Sequence, residues 1–175
     1  MRVFFGFLGY VLLVAVIALA AHVATLMAYP SVAMERAIAV IAPRGEGVNA
    51  WRHSPRVTAQ SQRIVRSSPD LAYSACAFDL WLGPVTIKVG SYADMWSLVL
   101  YDRASNVFGH FNDLEYPDGV TVTLIREGAA PPANAQGIVL ESPSRRGIAL
   151  VRRLAPTVSG FSAAETARRD DVCRG

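Results

Sequence analysis

Apolar and polar residues alternate in two stretches near the middle of the chain, with the two-residue period of a β-strand. The stretches are residues 73–80 and 96–101, and each places its large apolar side chains on one side. Those side chains are Cys76, Phe78 and Leu80 in the first stretch, and Trp96, Leu98 and Leu100 in the second. Strands that each hide one face need a common partner layer, so the two stretches predict the core of a β-sheet domain.

Further short apolar runs, separated by turn residues, add strands to this core. The predicted strands are residues 85–89, 107–111, 120–125, 138–140 and 147–154. The turn at 116–119 contains Pro117 and Gly119, which favour the backbone angles of a β-turn. The turn at 142–144 predicts hairpin-like pairing of the last two strands. About seven short strands favour a mainly β domain, either a β-sandwich or a barrel-like fold.

Short helices are predicted only on the two flanks of this domain. After Pro30, a short amphipathic helix is expected to start at Ser31 and to end before Pro43. Its apolar side is expected either to lie along the membrane interface or to dock on the domain, and it consists of Val32, Met34, Ile38 and Ile41. Near the C-terminus, Ser162 and Glu165 have the spacing of a capping box. In that motif the hydroxyl and the carboxylate satisfy free amides at the start of a helix, so a short terminal helix is predicted there.

The N-terminal segment is long and apolar enough to cross a membrane. Residues 3–29 contain no Asp, Glu, Lys or Arg, and a helix crosses the hydrocarbon core of a bilayer with about 20 apolar residues. A cleaved signal peptide is the alternative, because Arg2 precedes the run and residues 18–20 match a small-x-small cleavage pattern. The run stays apolar beyond Ala20, which favours an uncleaved transmembrane signal-anchor helix.

The topology and the cysteines point to a domain outside the cytoplasm. A two-residue flank before a long apolar run favours an N-terminus in the cytoplasm and a C-terminal domain on the other side. Two cysteines, Cys76 and Cys173, are compatible with one disulfide in an oxidising compartment. The alternatives are a small buried apolar side chain for Cys76 and a free thiol in the tail for Cys173.

These features divide the chain into three parts. Residues 1–30 are predicted to form the transmembrane signal-anchor helix, and residues 31–69 the amphipathic helix with an Arg-rich connection. Residues 70–175 are predicted to form the extracytoplasmic β domain with its short C-terminal helix. The connection is rich in Gly, Pro and Ser, which predicts irregular structure held to the domain by Trp51 and by Ile64 with Val65.

The net charge of +3 gives only weak support for a nucleic-acid partner. The arginines are spread in pairs, such as Arg145 with Arg146, rather than in a stripe interleaved with aromatic residues as in single-strand binders. We therefore expect no nucleic-acid binding.

Three sequence blocks carry a resemblance to a known family. The blocks PDLAYSACAFDL, GPVTIKV and WSLVLYDRASNVF occur in this order, and with them the chain resembles the bacterial family called domain of unknown function 1254. The resemblance extends to the preceding WRHSPRVTAQSQRIVRSSPD and to the cysteine near the C-terminus. It implies a single-span protein of the bacterial inner membrane with its domain in the periplasm.

The same resemblance implies a partner. In longer relatives this domain is fused to a second β domain, called domain of unknown function 1214. We expect that second domain to be supplied to this chain by a separately encoded membrane protein.

No motif in the chain predicts catalysis. A metal site would need His53 and His110 together with carboxylates such as Asp113, and no paired histidine spacing supports one, so no metal or other cofactor is expected. Neither a G-x-S-x-G nucleophile elbow nor a phosphate-binding glycine loop occurs.

Three functional hypotheses follow, in order of preference. The first is a non-catalytic structural or interaction subunit of the cell envelope. The second is an envelope protein that binds a small molecule or a glycan. The third is a hydrolase or metal enzyme, which would require His110 to meet Asp113 or His53. The candidate ligand or partner surface consists of Trp51, Trp81, Tyr92, Trp96, His110 and Asp113.

Overall fold

The computed structural model describes residues 2–58 and 67–175 and confirms the predicted mainly β fold with a long apolar N-terminal helix. It contains two α-helices, α1 (Arg2–Ile41) and α2 (Val158–Ala167), each followed by a single 3-10 turn, at Pro43–Gly45 and Arg168–Asp170. The described residues also form nine strands. They are β1 (Trp51–His53), β2 (Leu71–Asp79), β3 (Val85–Gly90), β4 (Trp96–Tyr101), β5 (Val107–Asn112), β6 (Gly119–Arg126), β7 (Ile138–Ser142), β8 (Arg146–Leu154) and β9 (Val172–Arg174).

The strands form two sheets that share one apolar core. The first sheet has the order β1-β2-β8-β4-β5 and is antiparallel throughout, and the second has the order β7-β6-β3-β9. The inward positions of both sheets supply the core, as alternation predicts. Its largest members include Phe78, Leu80, Ile87, Trp96, Leu98, Leu100 and Leu124, all at most 1% exposed. The domain is therefore a two-layer sandwich.

The predicted hairpin between the last two long strands is wrong. β7 pairs in parallel with β6 in the second sheet, whereas β8 lies between β2 and β4 in the first. The strand β8 is apolar on both faces, and a strand of this kind needs a packing layer on each face. Ile148 is buried against α1 and Ala149 is buried in the core between the sheets, which the central position in the first sheet allows. The turn that follows Ser142 thus carries the chain from one sheet to the other.

A glycine allows the parallel pairing of β6 and β7. Gly137 has a φ angle of +66°, and a Cβ at this position would overlap the carbonyl oxygen of Thr121. The side chain of Thr123 secures the same entry point, because its hydroxyl donates to the carbonyl of Gln136 at 2.8 Å and accepts from the amide of Gln136 at 3.1 Å. Only a residue without a side chain fits this close approach.

Both helix boundaries differ from the predicted ones. Pro30 lies inside α1 and does not end it. The helix continues beyond Pro30 because Met34, Ile38 and Ala42 pack on the first sheet, and tertiary packing supplies most of the stability of a helix in a protein. Helix α2 starts before the predicted capping box, because the Thr157 hydroxyl accepts from the amide of Gly160 at 3.0 Å, so Ser162 lies inside the helix.

The connection between α1 and the domain is partly regular. Residues Trp51–His53 form the edge strand β1, which pairs with β2, and Trp51 packs against the core as predicted. The predicted contribution of Ile64 with Val65 lies outside the described residues.

Candidate interaction surface at the helix-side rim

The last turns of α1 pack on the outer face of the first sheet. Met34, Ile38 and Ala42 recur at every fourth position, which places them on one side of the helix, and each is at most 7% exposed. They contact the outward side chains of Ala77 and Ile148. In contrast, residues 6–29 of the same helix are exposed along their whole length. A single helix therefore has a free apolar part and a docked part.

The exposed apolar part of α1 meets the sandwich at one of its two ends. We call this end of the sandwich the helix-side rim. This rim consists of the loops at residues 80–84, 102–106 and 143–145. The Ser105 hydroxyl donates to the carbonyl oxygen of Pro30 at 3.2 Å, where the docked part of the helix meets the rim. The opposite end carries the turns at 91–95 and 113–118.

Charged side chains tie α1 to this rim. The two carboxylate oxygens of Glu35 lie 3.0 Å from Arg146 Nη1 and 3.4 Å from Arg103 Nε. Asp79 continues the network with contacts of 3.5 Å to Arg146 Nε and 3.2 Å to Arg145 Nε. These side chains are between 21% and 62% exposed. Pairs so exposed contribute about 0–1 kcal/mol each, so the network orients the helix more than it stabilises the fold.

The loop at 80–84 is held in a fixed shape by its neighbours. Arg126 donates from Nε to the carbonyl of Leu80 at 2.7 Å and from Nη2 to the carbonyl of Trp81 at 2.6 Å. The amide of Trp81 donates to Asp79 Oδ1 at 2.9 Å. Although its backbone is fixed, the tip leaves Trp81 64% exposed and Leu82 95% exposed.

Two guanidinium groups lie over the ring of Trp81. The Cζ atoms of Arg145 and Arg126 are 5.1 Å and 5.8 Å from the ring centroid, within the range of cation–π attraction. A cavity of 310 Å³ lies between this loop and residues 125–130. The rim therefore presents a rigid tip with an aromatic and an aliphatic side chain, flanked by positive charge.

At the opposite end, a buried ion pair joins the two sheets. Arg153 of β8 contacts Asp171 through Nη1 at 2.8 Å and Nη2 at 2.7 Å, and the side chains are 1% and 0% exposed. Asp171 Oδ1 also accepts from the amide of Gly90 at 3.0 Å. The ring of Tyr92 lies 5.9 Å from the guanidinium. Every partner here belongs to the core, which makes the pair structural.

A second buried cation supports the edge of the first sheet. Arg168 is 3% exposed, forms an ion pair with Glu165, and donates to the carbonyls of Ser54 at 3.2 Å and Tyr73 at 2.8 Å. Burial lowers the pKa of Arg168 below its ordinary value, although the Glu165 carboxylate opposes this shift. These contacts attach the C-terminal end of α2 to β2 and to the residue that follows β1.

His53 and Ser74 lie within hydrogen-bond distance, as a catalytic base and its nucleophile would, but the Ser74 hydroxyl is not accessible to a substrate. His53 Nδ1 lies 2.8 Å from Ser74 Oγ. Burial of the imidazole, followed by the nearby charge of Arg168, lowers the pKa of His53 below its ordinary value. Ser74 is 1% exposed, however, and a substrate could not reach its oxygen. The pair acts as a hydrogen bond between β1 and β2.

The two histidines outside α1 are not brought together. His53 lies on β1 and His110 on β5, which are the opposite edges of a five-stranded sheet. Four strand spacings separate them, or roughly 19 Å. Among residues 2–58 and 67–175, no group of three metal-binding side chains lies together. The arrangement that the hydrolase hypothesis required between these two residues is therefore not found.

The six predicted surface residues lie in different parts of the domain. The prediction is wrong for Trp96, which is 0% exposed in the core. Trp51 and Tyr92 are half-buried against the core, and the Tyr92 hydroxyl donates to the carbonyl of Leu154 at 2.6 Å. Burial and the Asp94 carboxylate raise the pKa of Tyr92 above its ordinary value. These positions give no common aromatic platform for a glycan.

The other three predicted residues are on the surface or near it. Trp81 is exposed on the helix-side rim, and His110 is exposed on β5. Asp113 is half-buried, and its carboxylate accepts from the amide of Trp96 at 3.3 Å. The turn itself is held by Asn112, whose Oδ1 accepts from the amides of Leu114 and Glu115 at 3.0 and 3.1 Å.

The predicted disulfide between Cys76 and Cys173 is confirmed. Cys76 belongs to β2 in the first sheet and Cys173 to β9 in the second, with Cα atoms 6.6 Å apart. Both residues are part of the core and are 0% and 8% exposed. The bond thus joins the two layers covalently.

Sequence reasoning missed the buried Arg153, and it left the docking of α1 as one of two alternatives. A signal for the first was present, because Arg153 falls on the same side of its strand as Ala149 and Val151, which are buried. An arginine at such a position requires a buried acceptor nearby. A signal for the second was the spacing of Met34, Ile38 and Ala42, which continues across the expected end of the membrane segment.

Residues 48–174 match the family described as Protein of unknown function (DUF1254). The chain belongs to this family. The match confirms the resemblance found in the sequence and includes both sheets. No curated protein shows a significant match to the chain.

A solved structure shares the fold. The VPA0106 protein from Vibrio parahaemolyticus is similar with a TM-score of 0.66 and 15% sequence identity, over 86% of this chain and 36% of that chain. An uncharacterized protein from Burkholderia cenocepacia has a TM-score of 0.45 and 21% identity, over 63% of this chain and 32% of that one. The DUF1254 chain described here thus spans about a third of the length of these structures.

Proposed function

We propose that this DUF1254 protein is a membrane-anchored, non-catalytic interaction subunit of the bacterial cell envelope. Its β domain is held against the outer surface of the inner membrane and engages a separately encoded membrane protein. The observation that carries the proposal is the docking of α1, whose Met34, Ile38 and Ala42 pack on the first sheet directly after the exposed apolar part. A docked helix fixes the domain in one orientation, as a scaffold requires.

The length of α1 suits the role of an anchor. Residues 6–29 are exposed, apolar over almost every position and free of Asp, Glu, Lys and Arg. Such a surface is costly in water and is stable in the hydrocarbon core of a bilayer. A signal sequence has the same composition, and the docked continuation of the helix is what favours a permanent anchor.

The disulfide supports an extracytoplasmic domain. Disulfides persist in oxidising compartments such as the periplasm and are rare in the bacterial cytoplasm. The Cys76–Cys173 bond joins the two sheets inside the core, where it contributes to the fold itself. Together with the N-terminal anchor, it supports a domain that folds in the periplasm.

Strand β5 is the surface on which we place the partner. It forms an edge of the first sheet and pairs with β4 on one side, while no other described strand pairs with its second side. An edge strand offers free backbone groups to which another chain can add a strand. β5 also begins next to the helix-side rim, within reach of a protein in the same membrane, and Val107 at its start is 56% exposed.

Site-specific photo-crosslinking in native membranes tests this proposal. A photoreactive amino acid replaces Val107 on β5, and a matched variant carries it at Val158 on α2, which is 71% exposed. We expect the probe at position 107 to give a discrete adduct with one membrane protein, and the probe at position 158 to give none. Mass spectrometry of the adduct should identify the partner and show a stoichiometric amount of it. Recovery of the chain alone, at monomer mass, would refute the interaction role.

A further inference from the structure

The two tyrosines of the apolar part of α1 mark the level of the membrane surface. Tyr10 and Tyr29 are both 66% exposed and lie 19 positions apart. At 1.5 Å per residue this is about 28 Å, close to the thickness of the hydrocarbon core. Tyrosine and tryptophan are enriched at the two interfaces of a bilayer. Tyr29 therefore lies at the interface on the side of the β domain.

One loop of the helix-side rim lies next to Tyr29. The next residue, Pro30, accepts the hydrogen bond from Ser105 in the rim loop 102–106. Strands β2 and β4 pair with opposite sides of β8, and both run antiparallel to it. They therefore finish at the same end of the sheet, so the loops 80–84 and 102–106 lie at that end. The rim thus faces the headgroup layer that surrounds α1.

The loop at 80–84 has the chemistry of that layer. Its tip exposes two neighbouring apolar side chains, Trp81 and Leu82, and Leu82 is 95% exposed. Contiguous exposed apolar surface is typical of a site that contacts a membrane or another protein. Arg145 lies over the Trp81 ring and its side chain is 48% exposed, so its guanidinium is able to reach a lipid phosphate. Arg126 fixes the backbone of the tip from the other side.

We infer that the Trp81–Leu82 tip is a second membrane contact of this protein. The two side chains enter the interface of the membrane that α1 spans, and Arg145 binds anionic headgroups beside them. The inference rests on the proposed function, because it requires α1 to span a membrane. With α1 as one contact and the tip as another, the domain cannot tilt relative to the membrane, and β5 is presented at a constant height.

Quenching of tryptophan emission by brominated lipids tests the contact. The full chain is reconstituted into vesicles of phosphatidylcholine and phosphatidylglycerol whose acyl chains carry bromine near the headgroup. We expect quenching of the wild type and loss of the quenchable emission in Trp81→Phe. Equal quenching of the two proteins would overturn the inference, and would leave Trp81 to contact a partner protein instead.

Two matched variants decide the orientation of the rim. Trp81→Phe/Leu82→Trp places the probe on the tip, whereas Trp81→Phe/Leu114→Trp places it on the opposite end, where Leu114 is 90% exposed. We expect the first variant to regain quenching and the second not to. Equal quenching of both would overturn the inference. Emission from the buried Trp96 reports folding in every variant.

Failure of the inference is distinguishable from failure of the proposed function. An alkaline carbonate wash of the vesicles reports whether α1 spans the bilayer. Protein retained after the wash without Trp81 quenching overturns the tip contact alone. Protein released by the wash overturns the membrane anchor, and the tip contact with it.

Discussion

Arg153 of β8 and Asp171, which precedes β9, form an ion pair with two contacts of 2.7 and 2.8 Å inside the core. Removing both charges from water costs several kcal/mol per ion, and only close geometry with further hydrogen bonds offsets this cost. The amide of Gly90 supplies one such bond, and a Cβ at Gly90 would lie 2.9 Å from Asp170 Cβ, so this position has little room for a side chain. The pair joins the first sheet to the second.

Breaking one side of this pair should be worse than removing both. We expect Asp171→Asn to lower the free energy of unfolding by about 3–5 kcal/mol, because it leaves the Arg153 charge buried and unpaired. The double variant Arg153→Met/Asp171→Leu should lose less than Arg153→Met or Asp171→Leu alone. Urea unfolding of the full chain in detergent, followed through tryptophan emission, measures all four variants. Additive losses in the double variant would contradict a coupled pair.

The disulfide between Cys76 and Cys173 should contribute strongly to stability. It closes a loop with a sequence separation of 97 residues. Loop-closure entropy then predicts a contribution of about 4–5 kcal/mol, less if the native state is strained. We expect Cys76→Ala/Cys173→Ala to lower the urea midpoint markedly and the wild type to show the same shift under reduction. A reducing agent that lowers the midpoint of the double variant equally would show that the effect does not come from this bond.

The docked part of α1 should behave as a core element. Ile38 is 2% exposed against Ala77 and Ile148, whereas Val40 on the same stretch of helix is 75% exposed. We expect Ile38→Ala to cost about 2–4 kcal/mol in unfolding free energy through lost burial and a residual cavity. The matched variant Val40→Ala should stay within about 0.5 kcal/mol of the wild type. Similar losses in both would mean that the helix does not dock on the sheet.

Protonation of His53 should destabilise the domain. Burial and Arg168 lower the pKa of this imidazole below 6.5, so the folded state binds fewer protons than the unfolded state. The contribution of neutral His53 to the free energy of unfolding is fully present above pH 6.5. It is lost as the pH falls from 6.5 through the lowered pKa of the folded state. We expect a small loss, because the ring is partly exposed, and a shallower pH dependence in His53→Gln. NMR titration with a midpoint at or above 6.5 would contradict the assignment.

Much of the fold could be predicted from the alternation of side chains, because alternation reports which face of a strand is buried. It does not report the partner of a strand. The run containing Ile148 and Ala149 is apolar on both faces. Only the three-dimensional structure shows that β8 does not pair with β7 and lies at the centre of the other sheet. Local rules failed at Ser162 for a similar reason, since the helix already starts after Thr157, whose hydroxyl accepts from the amide of Gly160.

The candidate surface was harder to predict than the fold. Trp81 and Trp96 are the same residue type in similar β-rich contexts, yet one is 64% exposed and the other 0%. The difference arises because Trp96 lies on the inward face of β4, whereas Trp81 follows the end of β2 and is held by Arg126 from a distant part of the chain. Such a long-range contact leaves no local signature.

The central claim is that α1 is a permanent membrane anchor that continues into the β domain. The most direct test is the intact mass of the protein recovered from alkali-washed bacterial membranes. The account predicts the full chain, with residues 1–30 present and two hydrogens missing for the Cys76–Cys173 bond. A soluble periplasmic protein that begins after Ala20 would contradict it.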